Sequence, residues 1–255
     1  MSAKKRLGQN FLRRKEYLEQ MHDAVAAHCR DRAVVEIGPG KGALTSYLLP
    51  IAKKLYAVEL DADLYPILRE KFAADVRFTL ISQDILTYDL PDIADAVVVG
   101  NVPYYISFDI VDWVFARAPQ VQCAFFLFQK EFARKLCAEA GEDEYAFVSA
   151  YRGMWYDAKY LFKVPANAFD PQPKVDSAFV MLTRKELPLC RETDRIRMRE
   201  VLRRIFSMDR KKISNALARA FPDVAPERFA ELGFDLEKRA TDLFPVELAK
   251  ISVYF

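Results

Sequence analysis

Histidine and cysteine are scarce in this chain of 255 residues, and their spacing matches no metal site. The two histidines, His22 and His28, form no HExxH motif, and the four cysteines contain no CxxC pair. Zinc chemistry, a disulfide framework and most histidine-based acid–base catalysis are therefore disfavoured, and we predict that no metal is bound. Scattered cysteines are typical of a reducing compartment, so we expect a cytoplasmic protein.

Long uncharged runs and a secretion signal are also missing. The longest stretch without a charged residue runs from Ala96 to Phe108, whereas a transmembrane helix needs about 20 apolar residues. The first fifteen residues carry six basic side chains and no apolar core, which disfavours a signal peptide. The GxSxG motif of serine hydrolases and the GK[ST] ending of a P-loop are absent as well. We therefore expect no membrane association.

Charge is unevenly distributed, although the formal net charge is only +2. Residues 1–15 hold six basic and no acidic side chains, and residues 191–220 hold ten basic and four acidic ones. Two basic ends around an acidic middle suggest a polyanion bound by the ends and a small ligand bound by the middle. Two solvated charged faces would give the same pattern, and charge alone leaves both interpretations open.

Apolar runs alternate with helical patterns from Ala33 onward, which predicts an α/β fold with a doubly wound parallel sheet. The runs are almost continuously apolar, as strands covered on both faces require. The predicted strands are 33–37, 55–60, 76–83, 95–100 and 124–128, and the predicted helices are 43–49, 62–72, 109–116 and 130–140. A hairpin of strands 156–164 and 177–183, joined by a proline-rich loop, is predicted to close the sheet edge.

The chain beyond a linker at 186–189 has only helical patterns. We predict helices at 194–206, 210–221, 226–232 and 246–252. The predicted organisation is therefore an α/β domain of residues 1–187 and a small all-helical domain of residues 188–255.

A glycine-rich turn, Gly38-Pro39-Gly40-Lys41-Gly42, joins the first predicted strand to the first helix. Glycines there let the backbone bend sharply and approach a ligand beyond the carboxyl ends of the strands. Glu59 ends the next strand, near the offset of about 20 residues at which a carboxylate binds ribose hydroxyls. Asp84 ends the third strand, where it can accept a hydrogen bond from an adenine amine. This pattern predicts an adenosyl ligand, either NAD or S-adenosylmethionine.

The fourth strand ends in Asn101-Val102-Pro103-Tyr104, close to the [ND]-P-P-[YF] element of amino-methyltransferases. The lone pair of an adenine N6 is delocalised into the ring, so the amine is a poor nucleophile. The Asn101 side-chain carbonyl and a backbone carbonyl near Pro103 can accept both N6 hydrogens and direct the lone pair at the methyl group. Tyr104 can stack on the extruded base. Because a sulfonium is already an activated donor, alignment supplies most of the rate, and S-adenosylmethionine is favoured.

With these motifs in this order, the sequence resembles the small-subunit ribosomal RNA adenine N6-dimethyltransferase family, the KsgA or RsmA type, over essentially its whole length. The resemblance is carried by residues 7–12, 36–45, 59–61, 84–86, 101–104, 129–131, 169–177, 206–207 and 210–212. It implies a Rossmann-like class I methyltransferase sheet with a C-terminal helical domain, and S-adenosylmethionine as cofactor. The implied product is N6,N6-dimethyladenosine at two adjacent adenosines in a hairpin loop near the 3′ end of small-subunit rRNA.

The resemblance also assigns roles to matching positions. Asn101, Pro103 and Tyr104 are expected to hold the target amine, and Phe169 is expected to stack on the adenine opposite Tyr104. The expected cofactor-binding residues are Asn10, Leu12, Gly38, Gly40, Glu59, Leu60, Asp84, Ile85 and Asn101. The expected partner is small-subunit rRNA within a precursor ribosomal subunit, and we expect the protein to act as a monomer.

Basic residues near both ends predict the RNA-binding surface. Arg195, Arg199 and Arg203 recur every four residues and fall on one face of a helix. Such side chains contact phosphates and position RNA without reading its bases. The predicted RNA-binding residues are Lys4, Lys5, Arg6, Arg195, Arg199, Arg203, Arg210, Lys211 and Lys212.

Three segments depart from the usual family pattern. Tyr105 stands where the family has Asn, His or Gln, and its ring is expected to narrow the pocket or alter how a monomethylated adenine is held. The segment 145–149 reads Tyr-Ala-Phe-Val-Ser instead of Tyr-Gly-x-Leu-Ser, which affects local packing. Asp209 replaces a residue that is commonly basic, which weakens one phosphate contact.

Three other functions share parts of the pattern. A large-subunit rRNA methyltransferase of the macrolide-resistance type has the same fold and first motifs, but segments 169–177 and 206–212 favour the small-subunit type. A non-catalytic RNA-binding assembly factor is disfavoured by the intact 101–104 motif. A nucleotide-dependent dehydrogenase is ranked last, because GxGxxG and a hydride-transfer acid are missing.

Overall fold

The computed structural model describes residues 8–91, 93–117 and 119–254, apart from the side chain of Val253. The predicted RNA-binding residues Lys4, Lys5 and Arg6 lie outside this range. The described chain forms two compact units. The first consists of residues 8–133 and 159–183, and the second of residues 134–158 and 184–254.

A seven-stranded sheet is the framework of the first unit. Its strands are β2 (Ala33–Ile37), β3 (Lys54–Glu59), β4 (Phe78–Ser82), β5 (Ala96–Asn101), β6 (Val121–Gln129), β7 (Tyr156–Val164) and β9 (Ser177–Arg184). Their order across the sheet is β4-β3-β2-β5-β6-β9-β7. Valine and other apolar residues dominate the central strands, and residues 96–100 are all buried. Strands β2 to β6 run parallel, and β9 runs antiparallel to β6. The predicted α/β class is confirmed.

Helices connect the parallel strands, as the alternating pattern predicts. They are α2 (Thr45–Leu48), α3 (Tyr65–Phe72) and α4 (Ser107–Ala116), and α5 (Lys130–Cys137) follows β6. Most are shorter than predicted. A further helix, α1 (Lys15–Cys29), is missing from the predicted set. Its buried residues Leu18, Met21, Val25 and Cys29 have the spacing of an amphipathic helix, which is the signal that could have identified it.

The predicted hairpin strands lie side by side at one edge of the sheet, where β9 is inserted between β6 and β7. The proline-rich connection contains a short strand, β8 (Phe169–Asp170), that pairs antiparallel with β1 (Phe11–Leu12). No local pattern indicates this pair, because its two strands are far apart in sequence. The pairing fixes the segment before α1 against the loop before β9.

The second unit is helical outside the strand residues it contains. Its helices are α6 (Phe147–Arg152), α7 (Arg195–Phe206), α8 (Ile213–Ala220) and α9 (Pro245–Ala249). The predicted helix at 226–232 is a 3-10 helix, and the one at 246–252 divides into α9 and a 3-10 segment. In α6, the buried Arg152 donates to the carbonyls of Leu136, Ala138 and Tyr156 and to Glu139. Its charge is thereby satisfied within the unit.

Candidate active site

A cavity of about 600 Å³ lies at the carboxyl ends of the parallel strands in the first unit. The sheet order reverses between β2 and β5, and an open α/β sheet binds its ligands at such a switch point. The volume falls within the range of about 300–1,000 Å³ that is usual for small-molecule sites. The walls come from the segments that follow β2, β3, β4 and β5, and from residues 8–13. The topology thus brings the predicted cofactor-binding residues together.

The glycine-rich turn after β2 forms one wall of the cavity. Gly38 and Gly40 have φ angles of +64° and +60°, in the left-handed region that favours glycine. A Cβ atom on Gly40 would lie 3.0 Å from the ring of Phe11, so a larger residue would also collide. The backbone amide of Gly40 donates to Glu59 over 3.1 Å. This hydrogen bond holds the turn against the end of β3, with Gly38 and Gly40 lining the cavity.

Two carboxylates line the same cavity, Glu59 at the end of β3 and Asp84 two residues after the end of β4. Glu59 is buried and accepts hydrogen bonds from the amides of Gly40 and Asp61. Burial raises the pKa of Glu59 above its usual range. Asp84 accepts a hydrogen bond from the amide of Leu86. The apolar side chain of Leu60, next to Glu59, also lines the cavity and is 52% exposed. Together they offer hydrogen-bond acceptors and an apolar surface, the combination that an adenosine moiety requires.

Sequence reasoning did not single out Glu36, the residue on β2 just before the glycine turn. It lines the cavity at only 2% exposure, and its Oε2 atom accepts no hydrogen bond from the described residues. Burial raises the pKa of Glu36 to about 8, and the nearby charge of Glu59 adds to the rise. A buried, unpartnered carboxyl oxygen facing a cavity is a candidate site for a cationic ligand group.

The raised pKa of Glu36 predicts how stability depends on pH. In the folded protein the carboxyl group of Glu36 keeps its proton up to about pH 8, whereas a glutamate in the unfolded chain has a pKa of about 4.3. The free energy of unfolding should therefore fall as the pH rises through this window. Glu36→Gln, which cannot ionise, should be more stable than the wild type at pH 9 by a few kcal/mol, and little changed at pH 4.

Urea unfolding of the ligand-free protein at both pH values measures this difference. The exposed Glu70→Gln serves as the matched control, since Glu70 does not line the cavity. If Glu36→Gln changed the free energy of unfolding equally at pH 4 and pH 9, the raised pKa of Glu36 would be contradicted.

Asn101 ends β5 at the centre of the cavity wall. Its Nδ2 atom donates to the backbone carbonyl of Asn10 over 2.9 Å. Because a carbonyl can only accept, this contact fixes the amide orientation and leaves Oδ1 as the acceptor for a ligand. Asn10 in turn donates from its side chain to the carbonyl of Gly8. The predicted pair Asn10 and Asn101 is thus joined by a direct contact.

Tyr104 follows in a 3-10 turn, Tyr104–Ile106, and also lines the cavity. Its hydroxyl is 2.6 Å from Oγ of the buried Ser177 at the start of β9. Burial raises the pKa of Tyr104, so the phenol stays neutral. The carbonyl of Pro103 accepts from the amide of Ile106 at 3.2 Å. The ring of Tyr104 is therefore anchored at its hydroxyl end beside the amide of Asn101.

Phe169 differs from its expected position. Its side chain is 5% exposed and packs in the hydrophobic core with Leu12, Leu18 and Met21, and it does not line the cavity. The pairing of β1 with β8 turns the ring inward, while the next residue, Asp170, lines the cavity and pairs with Arg13 at 3.1 Å. In this structure the ring is thus not available to stack on a base opposite Tyr104.

The remaining predicted cofactor-binding residues lie at the cavity as expected. Its walls include Asn10, Leu12, Gly38, Leu60 and Ile85. Leu12 and Ile85 are nearly buried, at 6% exposure each, so they offer small apolar surfaces. No group of His, Cys, Asp and Glu residues in the described part of the chain has the arrangement of a metal site.

Comparison with known proteins shows which family the chain belongs to. The sequence model described as "Ribosomal RNA adenine dimethylase" matches residues 1–254. The chain belongs to this family. It is therefore an rRNA-modifying methyltransferase, and the family and enzyme class predicted from the motifs are confirmed. The dehydrogenase alternative is not favoured.

Two relatives match nearly the whole chain. A protein from Coxiella burnetii (strain Dugway 5J108-111) named ribosomal RNA small subunit methyltransferase A is 33% identical, covering 99% of this chain and 97% of the relative. The protein of that name from Myxococcus xanthus (strain DK1622) is 34% identical, covering 98% of this chain and 90% of its own length.

Two solved structures are similar to this chain. The 23S rRNA methyltransferase ErmE is 27% identical with a TM-score of 0.74, covering 95% of this chain and 98% of its own. A dimethyladenosine transferase from Plasmodium falciparum is 22% identical with a TM-score of 0.79, covering 95% of this chain and 96% of its own. At this identity the similarity is evidence for the fold alone. In the described ranges, no helix has the length and apolar character needed to span a membrane.

Helix α7 presents the predicted basic residues differently than expected. Its buried side is formed by Met198, Val201, Leu202, Ile205 and Phe206. This stripe leaves Arg195 and Arg199 only partly exposed, and Arg195 donates to the hydroxyl of Tyr151 at 3.3 Å. Between residues 195 and 212, the exposed basic side chains are Arg197, Arg203, Arg204, Arg210, Lys211 and Lys212. Lys212 is paired with Glu237.

Proposed function

We propose that this enzyme transfers methyl groups from S-adenosylmethionine to N6 of two adjacent adenosines near the 3′ end of small-subunit rRNA, giving N6,N6-dimethyladenosine. The observation that carries the proposal is the fixed amide of Asn101, whose oxygen is left to accept from an amine in the cavity. The choice of the small subunit is supported by the names of the relatives that match nearly the whole chain.

The residues around the cavity fit the proposed cofactor part by part. Glu59 offers an acceptor for ribose hydroxyls and Asp84 for the adenine amine, with Leu60 as an apolar surface for the base. The unpartnered carboxyl oxygen of Glu36 suits the ammonium of the methionine part. When bound, the sulfonium supplies an activated methyl group.

The acceptors at the end of β5 align the target amine. The Oδ1 atom of Asn101 accepts one N6 hydrogen, and we assign the second to the carbonyl of Val102, because Pro103 already accepts from Ile106. Withdrawing both hydrogens from the ring plane directs the nitrogen lone pair at the methyl group. The ring of Tyr104, anchored to Ser177, provides the stacking surface for the extruded base. Transfer to N6 would break the sulfur–methyl bond and leave a neutral thioether, and N6 would then release one proton to water. Because the bound sulfonium would already be an activated donor, alignment by these residues would supply most of the rate.

The predicted 188–255 domain remains our proposal for the RNA-binding part, within a compact unit that also includes residues 134–158. The exposure of its arginines supports a revised choice of RNA-contacting residues on α7, with Arg197 and Arg204 added to the exposed Arg203. Arg197 and Arg204 are seven residues apart, which is two helical turns, and both are exposed on the side of α7 away from its buried stripe. Phosphate contacts of this kind are sequence-independent and weaken with salt.

Two double variants of α7 with equal charge loss test this surface. Arg197→Ala with Arg204→Ala should weaken binding to small ribosomal subunits more than Arg195→Ala with Arg199→Ala. If both side chains contact phosphates, the slope of log K against log salt should fall by about 1.4–1.8 for the first pair. Binding measured at several salt concentrations gives both slopes. A larger effect from Arg195 and Arg199 would show that RNA contacts the partly buried edge of α7.

Mapping the methylated base tests the proposed function directly. Labelled S-adenosylmethionine is supplied with small and large ribosomal subunits purified from strains that lack the respective modifications. Dimethylation of two adjacent adenosines near the small-subunit 3′ end is the expected result. Label confined to the large subunit would assign the enzyme to the activity named for ErmE. Cofactor binding without label on either subunit would indicate a binding role.

A further inference from the structure

A second tyrosine, Tyr105, stands at the rim of the cavity beside the proposed base-binding Tyr104. Its side chain is 64% exposed, one of the most exposed large apolar side chains among the described residues, and it also lines the cavity. The proposed mechanism assigns it no role.

Local geometry sends the two tyrosine rings in different directions. Both belong to the 3-10 turn Tyr104–Ile106, in which successive side chains are about 120° apart. Tyr104 is held inward by Ser177, which is fully buried. Tyr105 consequently projects toward solvent from the same wall.

The backbone of Gly8 supports the ring of Tyr105. A Cβ atom at Gly8 would lie 3.3 Å from both Cδ1 and Cε1 of the tyrosine, and 3.5 Å from Cβ of Pro103. A side chain at position 8 would therefore press against the ring. Gly8 also has a φ of +59°, which favours glycine. One edge of the Tyr105 ring therefore lies close to the backbone of Gly8, while most of the ring surface is exposed to solvent.

We propose that Tyr105 is a second nucleobase-binding residue, which stacks on the base next to the target adenine while Tyr104 holds the target. This inference rests on the proposed function, since it requires an RNA substrate with an extruded base. A neighbouring base is covalently tied to the target and must lie outside the cavity, close to its rim. An exposed aromatic ring at this rim offers that base a stacking surface, whatever the identity of the base.

Two roles for Tyr105, stacking on a base and narrowing the pocket, predict different effects when the ring is removed. Loss of a stacking surface weakens binding of the RNA and leaves the cofactor site unchanged. A ring that narrowed the pocket would instead control how much room a monomethylated amine has. Its removal would alter the ratio of monomethyl to dimethyl product with little change in KM for RNA.

The test compares Tyr105→Ala, Tyr105→Leu and Tyr105→Phe in methyl transfer to unmodified small subunits. For Tyr105→Ala we expect KM for subunits to rise about 5- to 150-fold, the range that one base–aromatic stack supports. Tyr105→Leu, which is apolar but has no π-face, should share most of this loss, and Tyr105→Phe should retain the low KM. The Kd for S-adenosylmethionine should stay unchanged in all three. Val76→Ala, at a side chain that is 95% exposed, serves as the surface control.

A change in the RNA provides the matching half of the test. Subunits that carry uridine in place of the adjacent adenosine stack more weakly, so the wild type should show a higher KM for them. The penalty should be smaller in Tyr105→Ala, because the stacking partner is already gone. An unchanged KM in Tyr105→Ala, no rescue by Tyr105→Phe, or an equal loss of cofactor affinity would overturn the inference. If the wild type itself methylates no small subunits, the proposed function fails and the inference with it.

Discussion

Replacing Asn101 with alanine is expected to reduce kcat for methyl transfer about 10²- to 10³-fold, the usual cost of losing one group that aligns or polarises the reacting atoms. The variant loses the Oδ1 atom that we propose as the acceptor for the target amine, and the contact from Nδ2 to the carbonyl of Asn10. Since RNA contacts elsewhere on the surface are untouched, the affinity for small subunits should change little. Single-turnover methylation and subunit binding, measured on the same preparation, give the two quantities.

Asn215→Ala is the matched control for Asn101→Ala, because Asn215 is exposed on α8 and does not line the cavity. Asn101→Asp adds a second comparison. It keeps an oxygen acceptor but brings a negative charge toward the carbonyl of Asn10, which should repel it. Near-normal turnover in Asn101→Ala would rule out the amide as the group that aligns N6.

Replacing Glu59 is expected to give the second large effect, on cofactor binding. Glu59→Ala removes a carboxylate that can accept two ribose hydroxyls, and hydrogen bonds to a charged group contribute about 1.5–3 kcal/mol each. The Kd for S-adenosylmethionine should therefore rise about 10²-fold or more. Glu59→Gln keeps an acceptor oxygen without the charge, so its Kd should be intermediate. Isothermal titration calorimetry measures all three proteins.

Two further measurements separate a binding defect from a folding defect in the Glu59 variants. The carboxylate also accepts from the buried amides of Gly40 and Asp61, so Glu59→Ala should lower the free energy of unfolding. Folding of each variant is therefore checked by urea unfolding before titration. Glu70→Ala, at an exposed position of α3, serves as the charge control. A folded Glu59→Ala with unchanged affinity would show that the ribose is held elsewhere.

The sequence determined the class of the fold and the core of the candidate site. Continuous apolar runs between helical patterns indicate a parallel sheet, and the carboxyl ends of parallel strands meet at one edge. Residues at or just beyond strand ends, such as Glu59, Asp84 and Asn101, therefore meet in one cavity although they are far apart in the chain. The glycine turn follows from the same reasoning, because its positive φ angles require glycine. Each of these inferences depends on local signals alone.

Only the tertiary structure decided which side chains the core takes up and which it leaves exposed. The pairing of β1 with β8 buries Phe169, and the buried stripe of α7 leaves Arg197, Arg203 and Arg204 exposed while Arg195 and Arg199 are only partly exposed. The burial of Glu36, and with it the raised pKa, likewise depends on what packs around the end of β2. The motif around Asn101 predicted that both neighbouring tyrosines lie near the site. The contact of Tyr104 with Ser177 decides that one ring turns inward while the next is left at the rim, because that contact joins segments remote in sequence.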